Sequence, residues 1–176
     1  MSAPGSLDWA PVTDDLVAPP VAAALRHWAA APSVLAAPID PEAADTAAFG
    51  ERYGVVMADS ANCVIIAGRR GDVTRYAACV VLATTRADVN GFVRKRLDAR
   101  KASFAAMADA VRLTGMEFGG ITPIGLPADW PILVDRAVLA RGTVVIGSGL
   151  RRSKIAVPAG LLESLPGAEI VDGLAS

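Results

Sequence analysis

Two long apolar runs dominate the middle of the chain: NCVIIAG (62–68) and VTRYAACVVLAT (73–84). Both are rich in β-branched residues and have the length of strands. They flank RRGD, whose Gly71 suits a tight turn, so the pattern predicts a β-hairpin. Shorter runs of the same kind follow in PILVD (131–135), TVVIGSG (143–149), SKIAV (153–157) and AEIVD (168–172). An apolar stretch from Ser33 to Ala37, ended by Pro38, and a KASFA piece from Lys101 read as two further short strands.

Helical spacing appears in five places. Pro19 and Pro20 open a stretch in which Val21, Leu25 and Trp28 share one face, predicting a helix to about Ala31. Asp45 or Thr46 reads as the N-cap of a second helix through about Tyr53, stopped by Gly54. Asp88 begins a third, with Val89, Phe92, Val93 and Leu97 apolar. AAMADAVRLTG forms a fourth that Gly115 ends, and a fifth runs from Pro158 to about Leu165. Strands outnumber helices and the two are not segregated. The expected fold is therefore α+β, a mixed, partly closed, β-barrel-like sheet flanked by helices. Residues 1–31 read as an N-terminal arm and helix, the first 18 of them a loose arm. Residues 32–176 read as the main domain.

Composition narrows the chemistry. The chain has 176 residues and a net charge of −1, with 53% hydrophobic residues, many of them Ala and Val. That length supports one domain with a sizeable core. No apolar run is long enough to span a bilayer, and Asp8, Asp14 and Asp15 stand where a signal peptide needs basic and apolar residues. A cytoplasmic protein without membrane contact is expected. The two cysteines, Cys63 and Cys79, lie in strand-like runs and read as buried thiols. No Cys/His cluster has metal spacing, so neither metal nor cofactor is expected. The single histidine, His27, sits in the first helix, which leaves no Ser-His-Asp or Cys-His arrangement. Cations do cluster locally: Arg94, Lys95, Arg96, Arg100 and Lys101 form one group, and Arg151, Arg152 and Lys154 another. Each is either a phosphate contact or a solvated face.

The least ordinary stretch is GGITPIGLP (119–127), with three glycines and two prolines in nine residues. Prolines fix φ and remove donors, while glycines reach conformations closed to other residues. The result is a stiff loop lined by backbone groups and open to close approach of a ligand.

From about Asn62 to Val171 the order of elements resembles the YbaK/ProX family, freestanding relatives of the editing domain inserted in bacterial prolyl-tRNA synthetases. The resemblance rests on LTGMEFGGITPIG (113–125), together with the hairpin, PILVD and GSGLRRSK (147–154). It implies hydrolysis of mischarged aminoacyl-tRNA, with the aminoacylated tRNA 3′ end as partner and a synthetase as a further one. The alternative is a catalytically silent member that binds tRNA ends, an aminoacyl-nucleotide-like ligand or a synthetase. A second sieve of this kind is needed because a methylene difference is worth only about 1–3 kcal/mol in a binding pocket.

On this resemblance Gly119 and Gly120 let the ester approach the main chain, and their N–H groups face a developing oxyanion. Pro123 stiffens the loop and Gly125 permits its exit turn. Thr122 either bonds the substrate or caps the loop. Thr46 and Phe49 lie in the helix that borders the amino-acid pocket in relatives. Gly149 belongs to the turn that presents Arg151 and Lys154. Where the family carries a lysine at the start of the first hairpin strand, this chain has Asn62. An amide can hydrogen-bond a hydroxyl or carbonyl but cannot neutralise a phosphate. Lys154 is then either a relocated cation or a surface lysine. Asp135, in PILVD, reads as a cap for nearby N–H groups or as a catalytic carboxylate. The oligomeric state is open.

Overall fold

The computed structural model describes residues 3–176, so the first two residues of the expected arm lie outside it. Among the described residues nine strands form two sheets. The first five are β1 (Ala10–Pro11), β2 (Leu35–Pro38), β3 (Ala61–Arg70), β4 (Val73–Leu82) and β5 (Lys101–Phe104). The rest are β6 (Ile132–Asp135), β7 (Thr143–Gly147), β8 (Ser153–Pro158) and β9 (Ala168–Val171). One sheet has the order β5-β3-β4-β6-β9 and the other β1-β2-β8-β7.

The predicted hairpin is the longest feature. β3 and β4 pair antiparallel from Ala61 opposite Leu82 to Arg70 opposite Val73, and Gly71 turns at φ +59°. β4 then pairs parallel with β6, and β6 with β9, which makes this sheet mixed. The α+β class holds, but the strands do not close into one barrel. The two sheets are linked by a parallel bridge between Ser60 and Val145 and pack on one shared core.

The unbroken apolar run in β4 has a simple cause. Ala78 and Val80 join Ile65, Ile132, Val144, Ile146 and Ile155 in the main core. Ala77, Cys79 and Val81 point the other way, onto Ile66, Val93, Leu97 and Leu174. A strand covered on both faces needs no polar alternation.

The helices are short: α1 (Pro19–Leu25), α2 (Thr46–Tyr53), α3 (Arg94–Arg96), α4 (Met107–Thr114) and α5 (Arg136–Leu139). α2 starts where its cap predicts. The Asp45 carboxylate accepts from the Ala47 and Ala48 N–H groups, and Gly54 ends the helix at φ +69°. α4 likewise ends at Gly115, φ +68°.

Three expected helices change. α1 stops at Leu25, and beyond its end Trp28 turns inward to donate its indole N–H to Ser164 Oγ at 2.9 Å. The helix capped by Asp88 winds as a π-turn over Val89–Val93 before α3. The closing helix is 3-10, Ala159–Ser164. α5 was not legible in the pattern. The described part of the expected loose arm is anchored: β1 pairs with β2, and Val17 and Ala18 join Val21, Ala22 and Trp28 in the main core. No helix among the described residues is long and apolar enough to cross a membrane.

Candidate functional site

An open cavity of about 400 Å³ lies where the start of β3, the N-terminus of α2 and the glycine-rich loop converge. Its polar groups are few. Asn62 and Thr46 face one another across it, and the Thr46 hydroxyl donates to Asn62 Oδ1 at 2.9 Å. The Asn62 amide nitrogen takes no part in that bond and stays available to a ligand. α2 brings Thr46 there because Asp45 fixes its first turn, and the same helix buries Phe49 one turn later.

Lys154 reaches the cavity from β8, where it pairs with Ala37 on one side and Gly147 on the other. It is 8% exposed, donates to Ala44 O at 2.9 Å and stands 5.3 Å from the Phe49 ring centroid. Burial lowers its pKa from the ordinary 10.5 to about 8, against an opposing pull from Asp45 and with a smaller push from Arg151. The lysine is therefore an interior cation of the cavity. The surface-lysine alternative is excluded.

The loop divides into two faces. Phe118, Gly119 and Ile121 line the cavity. Gly119 has φ +88°, and among the described residues its N–H reaches no backbone acceptor. Gly120 differs. Its N–H donates to Glu117 O at 2.9 Å, and its carbonyl accepts from Gly149 N–H at 2.7 Å. A Cβ on Gly120 would lie 2.7 Å from the Leu150 carbonyl carbon, so its glycine serves close packing. The expected pair of oxyanion donors is thus reduced to Gly119.

Thr122 is fully buried, does not line the cavity, and its Oγ1 has no hydrogen-bond partner, which fits neither expected role. Pro123 and Gly125 face away. They line a separate cavity of about 180 Å³ beside Trp28 and Leu165, and Gly125 (φ +87°) packs against the Pro20 backbone.

Gly149 and Arg151 also act one step removed. Gly149 (φ +86°) exchanges backbone bonds with the loop, accepting from Glu117 N–H at 2.9 Å and donating to Gly120 O. The Arg151 guanidinium donates to Phe118 O at 3.3 Å and to Pro41 O at 3.0 Å, fastening the loop to the segment that leads into α2. That position places a cation beside Gly119 rather than inside the cavity.

Asp135 is a cap, accepting from Ala137 N–H at 3.3 Å and Ala175 N–H at 3.2 Å. Cys63 lines the cavity, but burial and the nearby Cys79 push its thiol far up, so it is no thiolate nucleophile. Among the described residues no group of three or more His, Cys, Asp or Glu is placed to hold a metal ion.

Sequence reasoning missed Gly147, Phe104 and Phe118, which all line the cavity. A Cβ on Gly147 would press on Gly120 O and stand 2.6 Å from Ile121 O. Its signal was its place two residues before Gly149, which the strand assignment absorbed. Phe118 directly precedes Gly119, so its signal was adjacency to the loop.

The same architecture recurs in solved structures. One described as a candidate trans-editing enzyme for prolyl tRNA synthetase superposes with a TM-score of 0.73 at 18% identity, covering 89% of this chain and 97% of its own. A scaffold protein used for computational epitope grafting gives 0.74 at 19% identity, covering 88% and 95%. A hypothetical protein gives 0.66 at 24%, covering 79% and 86%. At these identities the likeness is one of fold. The sequence model of the aminoacyl-tRNA editing domain matches residues 40–163, which hold α2, the β3–β4 hairpin, the glycine-rich loop and Lys154. With that match spanning most of the chain and the fold in agreement, this protein belongs to the YbaK/ProX-like family of aminoacyl-tRNA editing domains.

Proposed function

We propose that the protein is a trans-acting aminoacyl-tRNA deacylase that hydrolyses the ester between a misattached amino acid of small side chain and the 3′-terminal ribose. The observation that carries this reading is the meeting of Gly119, whose N–H has no backbone acceptor among the described residues, Asn62 and Lys154 on one open cavity. The walls between these groups are small and apolar, with Ala44, Ala61, Ala105 and Ala110 among them, which suits a short side chain.

Water adds to the ester carbonyl carbon, and charge develops on the carbonyl oxygen. The free Gly119 N–H meets that oxygen, and the buried Lys154 cation stabilises it through low-dielectric surroundings. The carbon–oxygen bond to the ribose then breaks, the ribose oxygen takes a proton, and the amino acid leaves as its carboxylate. Asn62, oriented by Thr46, positions the terminal ribose. His27 lies past the end of α1, beside the separate cavity of Pro123 and Gly125, and Cys63 stays protonated, so the substrate's neighbouring ribose hydroxyl serves as proton carrier.

The test is deacylation of a panel of mischarged tRNAs by the wild type and by Asn62→Ala and Asn62→Lys. Wild type should release a small amino acid, and Asn62→Ala should lower kcat/KM by about tenfold, the scale of one hydrogen bond near the reacting group. If wild type and Asn62→Lys both leave every substrate intact at micromolar protein, hydrolysis is excluded. A second reading, a silent binder of aminoacyl-tRNA ends, would then take its place. The engaged N–H of Gly120, which removes one of the two expected oxyanion donors, favours that reading.

A further inference from the structure

The free donor of the glycine-rich loop belongs to a turn that has two settings. Glu117, Phe118, Gly119 and Gly120 form a β-turn, closed by the Gly120 N–H donating to Glu117 O at 2.9 Å. The third residue of such a turn shows its type: a φ of about +80° marks type II and one of about −90° marks type I. Gly119 stands at +88°, and Phe118 has no positive φ, so this turn is type II.

The two types differ by a flip of the central peptide, the one that joins Phe118 to Gly119. A planar trans peptide carries its C=O and N–H on opposite sides, so whatever holds Phe118 O also aims Gly119 N–H. Glycine at the third position does not oppose the flip, because it takes either sign of φ at little cost. The bond that closes the turn is common to both types and does not choose between them. The choice falls to a group outside the turn.

That group is Arg151. Its guanidinium donates through Nη1 to Phe118 O at 3.3 Å and through Nη2 to Pro41 O at 3.0 Å. The second bond ties it to the segment before α2, so it cannot follow a carbonyl that swings away. Its backbone N–H is held by the Glu117 carboxylate at 3.1 Å. None of the ion pairs among the described residues uses its guanidinium. The group lies so close over Gly119 that a Cβ there would run into Nη1. Gly119 lines the cavity and Arg151 does not, so a carbonyl held toward Arg151 leaves the N–H on the opposite side. A charged donor on that carbonyl also polarises the peptide and strengthens its N–H as a donor. Arg152, the next residue, turns away and donates to Asp15 O.

We propose that Arg151 is a positioning residue that holds the Phe118–Gly119 peptide in its type II setting, N–H toward the cavity and carbonyl turned out. Without it the peptide flips and presents a carbonyl oxygen where the substrate's oxyanion forms. What the N–H meets rests on the deacylase reading; which way the peptide faces does not.

NMR on the full chain reads the peptide directly. Type II brings the Phe118 Hα close to the Gly119 amide proton, whereas type I brings the two amide protons together. Wild type should show the first cross-peak and Arg151→Met the second. Arg151→Lys keeps one charged donor for Phe118 O and should restore the first. On mischarged tRNA, Arg151→Met should lower kcat by about a hundredfold, the scale of one lost oxyanion donor, and move KM by less than about threefold. An Arg151→Met chain that keeps the wild-type cross-peak overturns the proposal. So does a loss confined to KM, which would make Arg151 a substrate contact. The two readings fail separately. If wild type deacylates nothing while the cross-peaks exchange as stated, the peptide clamp stands without the deacylase. If wild type and Arg151→Met deacylate equally with the same cross-peak, the deacylase stands without the clamp.

Discussion

Lys154 is a cation that the site buries. Its ammonium is buried beside Phe49, held by one carbonyl, with Asp45 favouring the charge and Arg151 opposing it. A lysine whose folded pKa is depressed binds fewer protons folded than unfolded, so its burial cost is fully present below pH 8. Between about 8 and 10.5 the unfolded lysine holds more proton than the folded one, so this group's contribution to stability rises with pH. Burial pushes the Cys63 and Cys79 thiols up, which lowers stability over the upper part of that range in any chain that keeps them. Urea unfolding should therefore read the lysine as a gap between wild type and Lys154→Met that shifts in the wild type's favour from about pH 8 to 10.5. Activity should move the opposite way. If the cation stabilises the oxyanion, kcat/KM, corrected for spontaneous ester hydrolysis, falls as pH passes about 8. A profile that stays level to pH 9.5 would remove Lys154 from the chemistry.

Among the elements, the loop is held by its neighbours more than by its own prolines. The Glu117–Gly120 turn and the Gly149 turn exchange backbone hydrogen bonds, and Gly147 lets β7 pass under the Gly120 and Ile121 carbonyls. Gly147→Ala must push backbone against backbone. It should cost about 2 kcal/mol or more in chemical denaturation, in the range of overpacked positions. Gly142→Ala, with open space at its Cβ, should stay within about 0.5 kcal/mol. The glycine and proline content of 119–127 made a shaped loop legible from the sequence. Its division into a cavity face and a face turned to α1 was not legible, because that depends on what packs beneath it.

In the molecule as a whole, the N-terminal segment braces the site from behind. It lies outside residues 40–163, yet Ala18 N–H donates to Ser148 O at 3.1 Å and Ser153 Oγ donates to Leu16 O at 2.6 Å. Trp28 and Val21 fill the core shared with strands of both sheets. The chain from Val17 to Trp28 thus backs the turn that backs the loop. Deleting residues 1–31 should abolish a cooperative thermal transition rather than trim a tail, as followed by near-UV circular dichroism. A truncated chain that melts as sharply as the full one would show the segment to be dispensable.

What local chemistry dictates was readable in the sequence: the β3–β4 hairpin from its apolar runs and Gly71, α2 from Asp45 and Gly54, and α4 from Gly115. What tertiary structure decided concerns groups whose partners are distant along the chain. Lys154 becomes an interior cation because Ala44 and Phe49, over a hundred residues earlier, close around it. Gly120 loses its free N–H to Glu117 while Gly119 keeps one, and Arg151 is spent on Phe118 and Pro41. A residue's type sets which bonds it can make. Which of those bonds are already taken, and which remain for a substrate, is settled only when the chain packs.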